Sequence, residues 1–233
     1  MLSMPPSLPD PRHLAHTFVL EQALHSQGLR VGGVDEAGRG PLAGPVVAAC
    51  VILDPEDDTS LYADSKALTA GRREELFARL HESAALIGVG QADAREIETI
   101  NILQASLLAM RRAVLACAAS HPSQQPDFLL VDGKFTVPMP LGQQALVKGE
   151  SKSASIAAAS IVAKVTRDRL MRQAHERFPQ YGFDRHQGYP TKAHREALRR
   201  HGPCELHRRT FHGVAELLTG QCEGPSPSQA DLW

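Results

Sequence analysis

Residues 33–49, GVDEAGRGPLAGPVVAA, indicate two buried strands that are joined by a glycine-rich turn. Two adjacent carboxylates, Asp35 and Glu36, end the first strand, and the turn Gly38-Arg39-Gly40 follows at once. Carboxylates are suitable ligands for a hard divalent cation. Glycines without side chains let a large ligand approach the backbone closely, and Arg39 could bind a phosphate of that ligand. A metal and a phosphate at one strand end are what phosphodiester hydrolysis requires.

The rest of the chain predicts strands and helices in an order that is typical of α/β proteins. Strands are expected over residues 29–36, 44–53, 84–91, 128–131 and 145–148, and helices from residue 69, over 101–119, over 153–178 and after residue 190. Strands come first and then alternate with helices, which predicts a central mixed β-sheet flanked by helices. A helical carboxyl-terminal portion is expected from about residue 165.

The length of 233 residues is enough for one sizeable core with a small addition. Residues 1–28 begin with a proline-rich stretch and predict an amino-terminal appendage with one short helix. Residues 29–219 are expected to form the main domain. Residues 220–233 are rich in Gly, Pro and Ser and predict a flexible tail.

The net charge of −1 hides an uneven distribution of charged residues. Residues 148–209 carry 14 of the 25 Lys and Arg residues but only 6 of the 26 Asp and Glu residues. Such separation indicates a basic face that can bind a polyanion, although a solvated helical surface would give the same composition.

Composition favours a cytoplasmic protein. The longest apolar run, residues 45–53, is too short to span a bilayer, and the amino terminus lacks the pattern of a signal peptide. The four cysteines are widely spaced, which favours reduced thiols. No feature indicates an oligomer, so a monomer is expected.

Four carboxylates are placed where they could share one site. Asp35, Glu36, Asp132 and Glu150 each follow an apolar strand-like segment or a glycine, so we expect them to converge at one end of the sheet. Two Mg²⁺ ions about 4 Å apart would relieve their repulsion and clamp the attacking water and the leaving oxygen of a phosphodiester. Because neighbours on a regular strand point to opposite faces, either the strand unwinds toward Gly38 or Glu36 reaches round with its longer side chain. Any one of these acids could instead cap an ordinary turn.

Two other kinds of site do not fit the spacing. The segment 35–38 resembles the Asp-x-x-Gly switch of GTP-binding proteins, but the phosphate loop that this class requires is missing from the sequence. A zinc site could use histidines and a cysteine of the carboxyl-terminal part, but their spacing matches no standard pattern of paired ligands. They are His186, His194, His201, Cys204, His207 and His212. Satisfied or substrate-facing histidines are expected instead.

The motifs, taken in order, resemble those of bacterial ribonuclease HII, the type 2 ribonuclease H family. Besides residues 33–47, the matching stretches are residues 64–66, 100–105, 131–133, 153–168, 186–191 and 207–211. The resemblance implies an RNase H-like fold and endonucleolytic hydrolysis of RNA in RNA–DNA hybrids. It also implies cleavage on the 5′ side of single ribonucleotides embedded in duplex DNA, which leaves 3′-hydroxyl and 5′-phosphate ends and serves ribonucleotide and primer removal.

The same resemblance assigns the metal ligands. Asp35, Glu36 and Asp132 match three of the four metal-binding carboxylates of the family. The fourth place is usually Asp in Lys-Gly-Asp, whereas this chain has Glu150. The extra methylene could move a ligand by about 1 Å, which bears on the preference for Mg²⁺ or Mn²⁺ and on the rate.

The resemblance further assigns the substrate contacts. The turn Gly38-Arg39-Gly40 resembles the family's reader of the ribose 2′-hydroxyl, the group that distinguishes RNA from DNA. Tyr189 matches an aromatic residue that stacks on the following deoxyribose, although a lone Tyr after Gly is often a packed surface ring. Four further residues are expected to contact phosphates, with a salt-bridged surface position as the alternative for each. They are Ser65, Lys66, Lys164 and Arg167.

The last five residues, Gln229-Ala230-Asp231-Leu232-Trp233, resemble the short peptide by which bacterial proteins dock on the DNA sliding clamp. A Leu-Trp pair at a mobile terminus has nothing to pack on, which favours a docking role over accident.

Two alternatives to a ribonucleotide-specific enzyme stay open at this point. One is a hybrid-binding protein whose metal site Glu150 has disabled, and the other is a less specific nuclease.

Overall fold

The computed structural model describes residues 6–62, 68–120 and 122–219. Five strands form one sheet in the order β3-β2-β1-β4-β5. They are β1 (Val31–Ala37), β2 (Val46–Ile52), β3 (Leu86–Ala92), β4 (Phe128–Asp132) and β5 (Gly142–Leu146). β1, β2 and β3 pair antiparallel, whereas β4 is parallel to β1 and β5 is parallel to β4. The predicted mixed sheet is confirmed.

In the described part of the chain, seven α-helices surround or extend this sheet. They are α1 (Val19–His25), α2 (Ala70–Glu82), α3 (Ala94–Ser120), α4 (Ala154–Arg177), α5 (Phe183–His186), α6 (Lys192–His201) and α7 (Ala215–Thr219). The hydroxyl groups of Thr69 and Ser153 accept hydrogen bonds from backbone amides three residues further along the chain. The donors are the amides of Arg72 and Ile156, respectively. These side chains cap α2 and α4, which explains why both helices begin where the sequence predicted.

Two predicted elements differ most from the observed ones. β5 spans Gly142–Leu146 rather than 145–148, because its pairing with β4 begins at Gly142 and the left-handed backbone of Lys148 (φ 57°) leads into the turn Gly149–Ser151. α3 begins at Ala94, seven residues before the predicted start. Asn101 interrupts this helix with a φ of 65°, and its side chain accepts hydrogen bonds from the amides of Leu103 and Gln104. The predicted start therefore corresponds to the second half of a broken helix.

The two faces of the sheet are covered by α3 and α4. Val46 and Cys50 of β2 pack in a cluster with Ala109 of α3, whereas Ala49 and Val51 pack in a cluster with α4. This alternation is the two-residue period of a strand that is buried on both sides. α3 is the only helix of the described residues that is long and apolar enough to cross a membrane, and its packing on the sheet accounts for that composition.

The helix within residues 1–28 packs against the sheet. Leu20 and Leu24 of α1 are fully buried and pack in a cluster with Val31, Phe128 and Ile156. α1 therefore packs beside β1 and β4 and contributes to the hydrophobic core.

The carboxyl-terminal portion contains three buried histidines. His194 Nε2 lies 3.1 Å from His207 Nε2, and the rings of His186 and His194 stack with their centroids 4.5 Å apart. Burial lowers the pKa of His194 and of His207 to about 4, so both rings are neutral near pH 7. These side chains pack in the interior rather than face a substrate.

Candidate active site

Asp35 and Asp132 lie side by side at one end of the sheet. β1 and β4 are adjacent parallel strands with Val34 paired to Val131, so the next residue of each strand is the acid. Asp35 is buried, and the Ser160 hydroxyl of α4 acts to lower its pKa against the effect of burial. Asp132 closes β4 at its carboxyl end, where open α/β sheets place their sites.

Glu36 points away from the face that carries Asp35. Its backbone pairs with Ala48, and the pairing of β1 with β2 continues to Ala37. The strand therefore does not unwind at the acids, and the longer side chain of Glu36 must bring its charge toward the site. Arg39 Nη1 lies 3.1 Å from Glu36 Oε1, which couples this acid to the glycine-rich turn.

The acids repel one another strongly. Burial raises the pKa of Asp35, and the charges of Glu36 and Asp132 raise it further. Burial also raises the pKa of Glu36, while Arg39 opposes this effect. A group of carboxylates that are hard to ionise together is stabilised by a bound cation.

The turn Gly149–Ser151 brings the fourth acid to this group. The Gly149 amide donates to Asp132 Oδ1 over 2.7 Å, so the turn is attached directly to the end of β4. Glu150 is the next residue and is buried. The charges of Asp35, Glu36 and Asp132 therefore interact at one end of the sheet, and the backbone of Glu150 adjoins them through Gly149.

The acids do not form a closed ligand shell. Across residues 6–62, 68–120 and 122–219, no three His, Cys, Asp or Glu side chains stand close enough to hold one ion as they are placed. Mg²⁺ keeps several waters and takes only one or two carboxylates from a protein, with substrate phosphate completing its shell. An open, oxygen-only set of this kind fits such a cation better than a zinc ion.

A buried arginine that the sequence reasoning missed holds the glycine-rich turn. The Arg208 guanidinium donates to the carbonyl oxygens of Gly38 (2.5 Å), Arg39 (2.9 Å) and Gly44 (3.0 Å). Burial and the charge of Arg167 lower the pKa of Arg208 to about 9. The only signal in the sequence was the position of Arg208 within the motif 207–211.

Arg167 lies behind the same turn, which corrects the predicted phosphate contact. Its side chain is buried and donates to the carbonyl oxygens of Ala43, Pro45 and Gln187 at 2.9–3.1 Å. Gly38 has a φ of +98°, and a Cβ at this position would collide with Arg167. The arginine therefore supports the turn and cannot reach a phosphate on the surface.

Tyr189 stands beside the turn. A Cβ built on Gly40 would lie 3.9 Å from Tyr189 Cε1, and the amide of Leu42 donates to the carbonyl oxygen of Gly188 over 2.8 Å. The Tyr189 side chain is 40% exposed. Lys164 Nζ lies 5.8 Å from the ring centroid and forms an ion pair with Asp168. Tyr189, the predicted stacking residue, therefore lies next to the turn 38–40, the predicted ribose reader, and its ring is accessible to a ligand.

Three predicted elements of the site fall outside the described residues. They are Ser65, Lys66 and the tail peptide 229–233. Their assignments stay predictions.

Comparison with known proteins identifies close relatives. A sequence profile of the family described as Ribonuclease HII matches residues 32–214. Ribonuclease HII of Desulfotalea psychrophila is 56% identical over 202 residues, which cover 86% of this chain and 89% of that protein. The corresponding protein of Syntrophotalea carbinolica is 54% identical over 199 residues, covering 85% and 93% of the two chains.

Solved structures show the same fold. The ribonuclease H2 from Pyrococcus horikoshii OT3 superposes with a TM-score of 0.64 at 27% identity, covering 83% of this chain and 99% of that one. The ribonuclease HII in a complex with PCNA from Archaeoglobus fulgidus gives a TM-score of 0.57 at 26% identity, covering 83% and 89%. These likenesses confirm the predicted fold class.

Proposed function

The chain belongs to the ribonuclease HII family, which cleaves RNA in RNA–DNA hybrids, and we propose that it cuts on the 5′ side of single ribonucleotides embedded in duplex DNA. It is a ribonuclease H endonuclease, and its proposed tasks are removal of misincorporated ribonucleotides and of primers. One observation carries the proposal. The acids at the ends of β1 and β4 lie next to a fixed glycine-rich turn and an exposed tyrosine ring.

The proposed metal site consists of Asp35, Glu36, Asp132 and Glu150, with two Mg²⁺ or Mn²⁺ ions. When bound, such ions supply an activated water and stabilise the leaving 3′-oxygen of the phosphodiester. The Gly149 amide orients the Asp132 carboxylate, and the Ser160 hydroxyl favours the charged form of Asp35. Arg39 lies beside Glu36, where its guanidinium is placed to meet a phosphate.

The turn 38–40 is the proposed reader of the ribose 2′-hydroxyl. Arg208 binds the carbonyl oxygens of Gly38 and Arg39, which fixes the backbone that the sugar would approach. A backbone held in advance loses little conformational freedom on binding, so its hydrogen bonds can discriminate between ribose and deoxyribose.

A cleavage assay tests this function. The substrate is a DNA duplex with one ribonucleotide, incubated with Mg²⁺ or Mn²⁺, and an all-DNA duplex serves as the control. We expect a single cut on the 5′ side of the ribonucleotide, with 3′-hydroxyl and 5′-phosphate ends, and no cut in DNA. Equal cleavage of both duplexes would indicate a less specific nuclease, and tight binding without product would contradict the proposal.

Replacing Tyr189 with alanine is expected to lower kcat/KM for a single embedded ribonucleotide by about 10-fold, because one stacking contact is lost. Affinity for an all-DNA duplex should change less than about twofold, since phosphate contacts dominate it. Steady-state cleavage and fluorescence anisotropy measure the two quantities. Tyr189→Phe keeps the ring and should behave like the wild type. Equal losses on both duplexes would count against the stacking role.

For the tail, we propose docking of residues 229–233 on the DNA sliding clamp. The proposal is supported by the sequence likeness of the peptide and by the PCNA complex that was solved for the Archaeoglobus relative. Deleting these five residues is expected to abolish retention on immobilised clamp while leaving cleavage of a short duplex unchanged. A chain with the same five residues in scrambled order is the control. Unchanged retention after deletion would dispose of the idea.

A cytoplasmic monomer is proposed for the working form of the enzyme. The described acids, the glycine-rich turn and Tyr189 are brought together within a single chain. The described cysteines, Cys50, Cys117 and Cys204, form no disulfide, in keeping with a reducing compartment.

A further inference from the structure

We propose that Glu21, which lies before the segment matched by the family profile, is a positioning residue of the acid site. Its side chain belongs to α1 and is almost fully buried. One carboxylate oxygen, Oε1, accepts hydrogen bonds from the Ser153 hydroxyl (2.6 Å), the Ser155 hydroxyl (2.5 Å) and the Ser155 amide (3.1 Å). A buried carboxylate is costly and is expected where a specific arrangement depends on it.

The partners of Glu21 are the first residues of α4. The first amides of a helix have no partner within it, and a carboxylate near that end also interacts favourably with the helix dipole. Here the Ser155 amide is satisfied by Glu21 and the Ala154 amide by the carbonyl oxygen of Thr17, at 2.8 Å. The segment 17–21 therefore fixes where the 24-residue helix α4 begins.

The start of α4 contacts the strand that carries the first two acids. A Cβ on Gly33 of β1 would collide with the backbone of Ser155, so the helix rests directly on this strand two residues before Asp35. Further along α4, the Ser160 hydroxyl also interacts with Asp35 and favours its charged form. A shift of α4 along or around its axis would therefore change the environment of Asp35.

The start of α4 is also tied to the turn that carries Glu150. The Ser153 amide donates to the carbonyl oxygen of Gly149 over 2.8 Å, and the Gly149 amide donates to Asp132. The Ser153 hydroxyl is one of the donors to Glu21. Glu21 thus lies two hydrogen bonds from the Gly149 backbone and three from Asp132, although it contacts neither of them.

These links predict that Glu21 sets the spacing of the acids, and thereby the affinity of the site for a divalent cation. The inference rests on the proposed function, in which the acids hold that cation. Residues that orient metal ligands from outside the coordination shell typically contribute 10- to 100-fold to metal affinity or activity.

The test compares wild type, Glu21→Gln and Glu21→Ala. Isothermal titration calorimetry with Mn²⁺ alone gives the affinity, and cleavage of a duplex with one ribonucleotide gives kcat and KM. For Glu21→Ala we expect Mn²⁺ binding to weaken by about 10-fold or more and kcat to fall similarly, with KM for the duplex changed less than about twofold. Glu21→Gln keeps an acceptor oxygen and should lie between wild type and Glu21→Ala.

Leu80→Ala separates positioning from stability. Leu80 is a fully buried residue of α2 that packs in the cluster with α4 but is not part of the hydrogen-bond chain from Glu21 to Asp132, so its truncation should lower the melting temperature without changing Mn²⁺ affinity. All variants are compared well below their melting temperatures. If Glu21→Ala does not fold, Glu21→Gln and Ser155→Ala carry the comparison.

Mn²⁺ affinity equal to wild type in the folded Glu21 variants would overturn the inference, as would an equal loss in Leu80→Ala. Either result would leave the proposed function standing, because wild type would still bind Mn²⁺ and cleave. A wild-type chain that binds no Mn²⁺ would instead overturn the proposed function, and this inference with it.

Discussion

Replacing Asp132 with asparagine is expected to reduce cleavage of a duplex with one ribonucleotide by about 10³-fold or more, because an amide is a poor ligand for a hard cation. The fold should survive, since the amide oxygen of asparagine can still accept the hydrogen bond from the Gly149 amide. Removing one negative charge beside the buried Asp35 should leave the metal-free protein at least as stable as wild type. Single-turnover cleavage and thermal unfolding measure these effects.

Asp127→Asn is the matched control for this variant. Asp127 precedes β4 at the opposite end, is exposed and accepts a hydrogen bond from the Arg30 amide. The same change of chemistry there should leave cleavage within about twofold of wild type, since the residue lies far from the acids. Substantial cleavage by Asp132→Asn would contradict the assignment of the site.

Replacing Arg208 with methionine is expected to lower the free energy of unfolding by about 3–5 kcal/mol, since three buried carbonyl oxygens would lose a charged donor. They belong to Gly38, Arg39 and Gly44. The turn should also shift, and a displacement of about 1 Å at a substrate-positioning element can cost about 100-fold in rate. Urea unfolding followed by circular dichroism gives the first quantity, and cleavage under conditions where the variant is folded gives the second.

Arg209→Met controls for the loss of a positive charge. Arg209 is the next residue along the chain, and its side chain is exposed. Its replacement should change stability by less than about 0.5 kcal/mol. If Arg208→Met were as stable as this control and cleaved at the wild-type rate, Arg208 would not support the turn.

Local sequence signals placed Asp35 and Asp132 near the ends of strands, where the structure has them. Asp35 follows a run of strand residues, and Asp132 follows another, so each could be placed at a strand end from its neighbours alone. Parallel pairing of β1 with β4 then brings the two ends together. The capped starts of α2 and α4 were equally readable, because a capping side chain lies within three residues of the amide that it binds.

The residues that support the site gave no such signal. Arg208 binds carbonyl oxygens 164–170 positions away, and Glu21 binds serines 132–134 positions away. Every residue type has a backbone carbonyl, so no pattern in the sequence marks the ones that a distant arginine will bind. Arg167 was assigned to a phosphate for the same reason. The sequence near a nucleic-acid motif does not show whether a basic side chain faces solvent or the interior.

The packing of the segment before β1 could not be predicted from its composition. Its proline-rich beginning suggested an addition to the fold, yet Leu20 and Leu24 complete a buried cluster against Phe128 and Ile156. The sequence predicted the short helix but not the residues that cover it. The residues that cover the helix, among them Phe128 and Ile156, lie far along the chain.

The metal site can be located in a crystal structure grown with Mn²⁺, with anomalous difference maps recorded at the manganese edge. We expect peaks at the carboxyl ends of β1 and β4, within coordination distance of oxygens from Asp35, Glu36, Asp132 and Glu150. Peaks confined to other parts of the molecule, or none at a Mn²⁺ concentration that supports cleavage, would contradict this expectation.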